Sequence, residues 1–180
     1  MFDTRPRFRP LHQVMAAGKQ NFDAKHFYPQ MIDTVDDLAG RMQALPLAMS
    51  LPVLFYNKTA MAKAGLDPAV PPKTWWELQE VAGKLRDSGS KCPLTSSRFA
   101  WVHVENVAAQ HNEPLVVKNG KQDQLALNNM VNVKHMALLT SWQKSFYFIY
   151  SGPGREGDDR FATGECAMLT GESVLYARLA

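Results

Sequence analysis

A helix with an explicit start signal follows two prolines, and it constrains the fold more than any other feature of the sequence. Pro71 and Pro72 prevent an earlier helix from continuing. Thr74 and Glu77 form a capping box, in which the Thr hydroxyl accepts the N–H of Glu77 and the Glu77 carboxylate reaches back to the N–H of Thr74. The helix is predicted to end at Gly89. Its apolar residues recur at helical spacing and are Trp75, Leu78, Val81, Ala82 and Leu85.

Short strand-like segments alternate with helical patterns from Leu51 onward. Residues 1–50 have weaker periodicity, with helix-like stretches at 11–17 and 28–41. The alternation predicts an α/β architecture. The predicted strands are 52–56, 92–95 and 166–169. The other predicted helices are 59–64, followed by Gly65, then 99–110, and 130–144 with Asn129 as its N-cap.

The pattern that starts at Gly171 is interrupted at Ala180. Val174, Leu175 and Leu179 form an apolar stripe with little left to pack on. We therefore expect the chain to be a cropped form of a longer protein.

Composition and charge exclude several classes of protein. The 180 residues are 46% hydrophobic and 21% charged, which is ordinary for a globular protein and excludes disorder and a disulfide-dense miniprotein. No apolar run approaches the roughly 18 residues that a membrane-spanning helix needs. The net charge is only +3, and the arginines Arg5, Arg7 and Arg9 are interpreted as a solvated terminus, so no nucleic-acid partner is predicted. The N-terminus of the sequence lacks a signal-peptide pattern, so a cytoplasmic location is kept as an alternative.

No pattern of catalytic or metal-ligating residues occurs in the sequence. The histidines form no HExxH and no Cys/His ligand spacing, and a GxSxG nucleophile motif is missing. His103 and Glu105 would point to different sides of a helix. Cys92 and Cys166 are either two reduced core thiols or one disulfide. No enzyme activity, cofactor or metal is predicted.

Residues 152–157 (GPGREG) match the letters of the dinucleotide-binding motif GxGxxG. That motif requires a tight turn from a strand into a helix whose N–H groups face the pyrophosphate. Asp158 and Asp159 follow the last glycine at once, and no helical pattern opens there. A flexible loop is therefore predicted instead of a nucleotide site.

Trp101 and Ser50 each have two interpretations. Trp101 opens a predicted helix directly after the polar segment 95–98, where its ring would either line a ligand site or pack in the core. Ser50 lies just before a strand, where its hydroxyl would either cap the turn or reach a ligand. Trp75 lies on the apolar stripe of its helix and is predicted to pack in the core.

Six segments in consistent order resemble the glycerol-phosphate branch of extracellular solute-binding protein family 1, the binding components of ABC importers. The resemblance covers the chain from about Phe8 to Leu179. It rests on residues 51–60 (LPVLFYNKTA), 64–68 (AGLDP), 71–75 (PPKTW), 101–106 (WVHVEN), 133–137 (VKHMA) and 161–168 (FATGECAM). It implies a type II periplasmic-binding-protein fold, two α/β lobes that close like a hinged clamp.

The resemblance also implies how the chain divides and what it does. Residues 1–50 would be a partial first-lobe or hinge segment, 51–170 the second lobe, and 171–180 the start of a truncated return helix. The protein would be a periplasmic, monomeric binding protein and not an enzyme. It would capture sn-glycerol 3-phosphate or a glycerophosphodiester and deliver it to membrane permease subunits. The alternative is a sugar or oligosaccharide ligand, as is common in the wider family.

Four predicted binding residues follow from the resemblance: Ser50, Arg98, Trp101 and Ser173. Ser50 and Trp101 match a ligand-contacting serine and a stacking tryptophan. Arg98 stands where a second tryptophan is expected, and there it would offer a phosphate a bidentate donor. Glu172 stands where a ligand-contacting serine is expected, and neighbouring Ser173 would replace that serine.

Two further points follow from the resemblance. The family's remaining ligand contacts fall outside the chain, so we expect an incomplete site. Cys92 and Cys166 match cysteines of the same branch, on strands that would be neighbours, which implies a disulfide.

Overall fold

The computed structural model describes residues 8–20, 23–37, 39–120 and 122–179. Arg5 and Arg7 of the predicted arginine cluster lie outside these ranges. Within the described ranges, helices α1 to α8 are Leu11–Ala17, Pro29–Asp33, Lys58–Lys63, Trp75–Asp87, Asn106–Gln110, Met130–Lys144, Glu156–Ala162 and Tyr176–Leu179. Strands β1 to β6 are Pro52–Tyr56, Leu94–Ser96, Val116–Asn119, Gln122–Leu125, Phe148–Ile149 and Met168–Glu172. A π-helix covers Trp101–Glu105, and 3₁₀ turns cover Ala24–His26 and Ser173–Leu175.

The chain forms two compact units, residues 1–50 and 51–180. In the first unit the predicted helix α1 is confirmed. The prediction of a helix over 28–41 is wrong, because α2 ends at Asp33. Beyond it, the Asp37 carboxylate accepts the N–H groups of Ala39 and Arg41, each at 2.9 Å. This local turn satisfies the backbone in a way that competes with a helix.

A four-stranded sheet organises the second unit in the order β1-β6-β2-β5. β2 pairs parallel with both β5 and β6, whereas β1 pairs antiparallel with β6. Ser96 lies opposite Thr170, and Pro52 lies opposite Glu172. Strands between helices in one mixed sheet confirm the predicted α/β class.

The hairpin β3–β4 was not predicted from the sequence. Every residue of both strands is exposed, so neither strand carries the apolar alternation that would reveal it. Gly120, with φ +64°, occupies the turn between the strands.

The core lies between the sheet and the long helices α4 and α6. Leu94 and Met168 of the central strands are fully buried, and Trp142 is 2% exposed while its indole N–H donates to Gln79 at 2.7 Å. Trp75 packs partly buried against this core, as predicted. Helical residues that complete the cluster are Met61, Leu78, Ala82, Leu85 and Leu139. None of the helices in the described ranges combines the length and apolar character that crossing a membrane requires.

The helix-start signals are confirmed, with one difference. Asn129 caps α6 by accepting the N–H of Asn132. Thr74 Oγ1 accepts the N–H of Glu77 at 3.2 Å. The Glu77 carboxylate, however, accepts the N–H of Lys73 at 2.6 Å instead of that of Thr74. It therefore satisfies an N–H one residue further from the helix than predicted.

The predicted helix over 99–110 is a π-helix followed by α5. The π-helix covers Trp101–Glu105, and α5 covers Asn106–Gln110. Hydrogen bonds in a π-helix span one more residue than those in an α-helix, which apolar spacing alone did not reveal. Such turns occur frequently at functional sites.

A disulfide joins Cys92 to Cys166, with Cα atoms 4.5 Å apart, which excludes the alternative of two reduced thiols. Each cysteine lies two residues before a central strand: Cys92 precedes β2, and Cys166 precedes β6. The predicted strands 92–95 and 166–169 therefore began two residues too early. The Cys92 carbonyl still accepts the N–H of Ala167 at 2.9 Å.

The glycine-rich segment contradicts the prediction of a flexible loop without a helix. Helix α7 begins at Glu156, inside the motif. Asp158 and Asp159, taken as evidence against a helix, lie in its first turn, where the helix dipole favours carboxylates. A Cβ placed on Gly152 would lie 2.7 Å from the Glu156 carboxylate carbon. The loop is thus covered by its own carboxylate, and nothing in it supports nucleotide binding.

Gly157→Ala is expected to destabilise the protein. A Cβ at position 157 would overlap the Ser96 carbonyl oxygen and lie 2.9 Å from Ser97 Oγ. Overpacking of this kind costs about 1–3 kcal/mol. Urea unfolding measures the change in the free energy of unfolding.

Gly83→Ala is the matched control. It adds the same methyl group within helix α4, 3.6 Å from the Tyr147 ring, and should stabilise the protein by up to about 1 kcal/mol. Equal effects of the two substitutions would contradict this interpretation.

Candidate ligand-binding site

Parallel pairing brings the polar ends of several strands to one edge of the sheet. β2 and β6 are parallel neighbours, so Arg98, which follows β2, and Glu172, which ends β6, lie at the same edge. The loop after β5 joins them, because the Arg98 N–H donates to the Gly154 carbonyl at 2.6 Å. We call residues 97–98, 154–155 and 172–173 the carboxyl edge. Open α/β sheets bind ligands outside the carboxyl ends of their strands.

Two arginines flank Glu172 at this edge. Arg98 Nε lies 3.4 Å from one Glu172 carboxylate oxygen, and an Arg155 Nη lies 2.7 Å from the other. The Glu172 side chain is 16% exposed, whereas each arginine side chain is 48% exposed. The cluster carries two positive charges and one negative charge. Arg98 was predicted from the sequence, but Arg155 was missed because its loop was interpreted as flexible.

Arg98 has a backbone conformation that is rare for residues other than glycine. Its φ is +51°, in the left-handed region. Two hydrogen bonds hold it there: its N–H donates to Gly154, and its carbonyl accepts the N–H of Val102 at 3.0 Å. Strained residues of this kind cluster at functional sites.

Ser173 ties the carboxyl edge to the start of β1. Its Oγ accepts the N–H of Leu51 at 3.0 Å, and its own N–H donates to the Leu51 carbonyl at 2.8 Å. Ser173 is half-buried. The structure therefore gives its hydroxyl a role in holding a strand, next to the position where a ligand contact was predicted.

Trp101 and Ser50 occupy two different parts of the structure. Trp101 is half-buried and begins the π-helix, three residues after Arg98. Ser50 is the last residue of the N-terminal unit, half-buried, and lines a cavity of about 340 Å³ within that unit. The second unit thus holds Arg98, Trp101 and Ser173, and the first unit holds Ser50.

A buried chain of hydrogen bonds joins the π-helix, helix α6 and strand β6. His103 Nδ1 lies 3.0 Å from His135 Nε2, and His103 Nε2 lies 2.9 Å from Thr170 Oγ1. The Trp75 ring packs on His135 with centroids 4.8 Å apart. Among the described residues, no group of three or more His, Cys, Asp or Glu side chains could hold a metal ion.

Both histidines are neutral at ordinary pH. Burial, followed by the nearby charge of His135, lowers the pKa of His103 to about 3. Burial, followed by the charge of His111, lowers the pKa of His135 to about 4. The sequence separation of 32 residues between His103 and His135 explains why local motifs did not reveal the pair.

A cavity of about 260 Å³ in the second unit lies beside β1, α4 and α5, and Thr170 of β6 also lines it. Lys73, Trp75 and Asn106 line it, but Arg98 and Glu172 do not. We place the candidate site at the carboxyl edge instead, because the charged cluster and the strained backbone of Arg98 are both found there.

The sequence matches the family model of the bacterial extracellular solute-binding proteins over residues 10–177. The chain belongs to this family. Members with similar sequences include the sn-glycerol-3-phosphate-binding periplasmic proteins UgpB of Yersinia pestis, 38% identical over 176 residues, and of Salmonella typhimurium, 39% identical over 176 residues. Both comparisons cover 95% of this chain and 40% of the relative, so the chain spans about 40% of the length of these family members.

Solved structures of solute-binding proteins share the fold. UgpB of Mycobacterium tuberculosis in complex with glycerophosphocholine superposes with a TM-score of 0.74 at 19% identity, covering 96% of this chain and 44% of that one. Maltose-bound MalE3 of T. maritima gives a TM-score of 0.71 at 17% identity, covering 97% of this chain and 44% of that one. These likenesses confirm the predicted periplasmic-binding-protein fold.

Proposed function

We propose that this chain is part of the solute-binding component of an ABC importer and captures a phosphate ester of glycerol, either sn-glycerol 3-phosphate or a glycerophosphodiester. The observation that carries the proposal is the pair of half-exposed arginines, Arg98 and Arg155, at the carboxyl edge. Their fork of N–H donors suits phosphate oxygens. The 38% identity to a sn-glycerol-3-phosphate-binding protein supports the same ligand class.

The remaining predicted residues have supporting roles in this proposal. The Trp101 ring, half-buried beside Arg98 in sequence, stacks on the carbon face of glycerol. Ser173 contributes through its placement beside Glu172. Ser50 stays a predicted ligand contact. The protein releases its ligand unchanged to permease subunits in the membrane, working from the periplasm as a monomer.

A neutral sugar is the second candidate ligand. Glu172 favours it, since a largely buried carboxylate at the carboxyl edge would accept hydrogen bonds from sugar hydroxyls. The two ligand classes differ in charge, and a panel of both separates them.

Ligand-induced stabilisation of the 180-residue chain tests the proposal. At about 100 times its Kd, a ligand adds about 2.7 kcal/mol to the free energy of unfolding, which raises Tm by several degrees. We expect sn-glycerol 3-phosphate or glycerophosphocholine to produce this shift in thermal unfolding, and maltose to produce none. Arg98→Gln should abolish the shift. Arg9→Gln, which removes the same charge from an exposed position of the first unit, should retain it. A larger shift with maltose would favour the sugar.

A further inference from the structure

The charge balance at the carboxyl edge discriminates between two kinds of phosphate ester. Arg98, Arg155 and Glu172 together carry a net charge of one positive unit. A phosphomonoester carries about −1.5 to −2 at neutral pH, because its second pKa is near 6. A phosphodiester carries a single negative charge. This three-residue cluster therefore matches the charge of a diester. The Glu156 carboxylate, which lies beside Gly154, adds to the repulsion of a dianion.

A phosphate that binds both arginines must lie close to the Glu172 carboxylate. One carboxylate oxygen lies 3.4 Å from Arg98 Nε, and the other lies 2.7 Å from an Arg155 Nη. The side chain is 16% exposed, and its backbone ends β6 in register with Pro52, so the carboxylate has little freedom to withdraw. A phosphate bound to the outer donors of both guanidinium groups would lie within a few ångströms of the carboxylate.

The number of charged oxygens then determines the fit. A diester has two unesterified oxygens, one for each arginine, and its ester oxygen can face Glu172 without a negative charge. A monoester at high pH has a third charged oxygen, which would face the carboxylate and be repelled. At a partly exposed site this repulsion is screened but not abolished.

We propose that Glu172 makes the carboxyl edge select phosphodiesters against dianionic phosphomonoesters. The inference rests on the proposed function, since it requires that a glycerol phosphate ester binds at this edge. It goes further in naming the preferred class of ester and the residue that determines the preference. Glu172 is a specificity-determining residue, and the arginines supply the attraction common to both classes.

A matched pair of ligands tests the preference. We would titrate the full chain calorimetrically at pH 8 with sn-glycerol 3-phosphate and with its O-methyl diester, which differ by one methyl group and one charge. For the unmodified protein we expect the Kd of the diester to be about tenfold lower, the size expected of one screened charge interaction. Glu172→Gln should reverse the ratio in favour of the monoester.

One control variant and one further test variant sharpen the result. Glu80→Gln removes the same charge from an exposed position on helix α4 and should leave the ratio unchanged. Glu172→Ser removes the charge with a smaller side chain and provides a second test if the glutamine variant fails to fold. Circular dichroism establishes folding for each. The ratio of the two Kd values in the unmodified protein tests the preference even if both Glu172 variants fail to fold.

The possible outcomes distinguish this inference from the proposed function. Binding of both esters with equal affinity, or tighter binding of the monoester to the unmodified protein, would overturn the role of Glu172 and leave the proposed function intact. An unchanged ratio in folded Glu172 variants would do the same. Failure of both esters to bind would overturn both proposals. Diester preference that reverses only in the Glu172 variants would establish the inference.

Discussion

Removing the bridge between Cys92 and Cys166 is expected to lower the free energy of unfolding by about 4–5 kcal/mol. The bridge closes a chain segment with a sequence separation of 74 residues. In the chain-entropy model, opening a loop of this length increases the entropy of the unfolded chain and lowers its free energy by about that amount. Small domains have a total stability of about 5–15 kcal/mol, so the loss is a large fraction of the whole. Urea unfolding of the Cys92→Ala/Cys166→Ala variant measures it.

Unfolding in the presence of a reductant distinguishes the stability lost with the disulfide from the stability lost when the cysteine side chains are removed. Both cysteines are fully buried, so replacing them by alanine also removes core packing. The unmodified protein unfolded in dithiothreitol loses only the bridge, and it should unfold at a markedly lower urea concentration than the oxidised protein. Dithiothreitol should have no effect on the double variant. Identical urea midpoints for the oxidised and reduced unmodified protein would contradict the prediction.

Acidification is expected to destabilise the second unit through His103 and His135. In the unfolded chain both histidines bind a proton near pH 6.5, whereas the folded protein holds their pKa values at about 3 and about 4. The unfolded state therefore binds more protons between pH 6.5 and about 3, and stability falls as the pH falls through this window. Above pH 7 the two histidines add no pH dependence. From pH 6.5 to 4.5 each histidine would cost up to about 2.7 kcal/mol.

A histidine variant tests whether the buried pair causes this pH dependence of stability. His135→Gln removes one of the two titrating groups and keeps a polar partner for His103, so its loss of stability between pH 6.5 and 4.5 should be about half that of the unmodified protein. Urea midpoints at the two pH values provide the measurement. His26→Gln alters an exposed histidine and should leave the slope unchanged. The same slope in His135→Gln and the unmodified protein would exclude the buried pair as the cause.

Local signals in the sequence predicted the elements that depend on local physics. The helix after Pro72 was predicted because Thr74 and Glu77 satisfy its first N–H groups, a feature contained within four residues. The cap of α6 by Asn129 is of the same kind. The strands predicted to begin at Cys92 and Cys166 begin two residues later, at Leu94 and Met168, because residue type alone did not mark the boundary.

The candidate site was predictable only in part, because its residues meet through the sheet. Arg98 and Ser173 came from a resemblance. The structure places Arg98 and Glu172 at one edge of the sheet, where they form an ion pair. Arg155 was missed because a run of glycines suggested flexibility, although Asp158 and Asp159 mark the first turn of a helix. The pair His103 and His135 joins segments 32 residues apart and has no local signature.

The disulfide and the carboxyl edge lie at opposite ends of the same two strands. Cys92 and Cys166 precede β2 and β6, whereas Arg98 follows β2 and Glu172 ends β6. The disulfide is therefore separated from the carboxyl edge by the full length of each strand. For protein engineering, residues of the carboxyl edge can be changed at one end of these strands while the disulfide at the other end is kept. We expect reduction of the disulfide to lower the folded fraction and to leave the ligand preference proposed for the carboxyl edge unchanged.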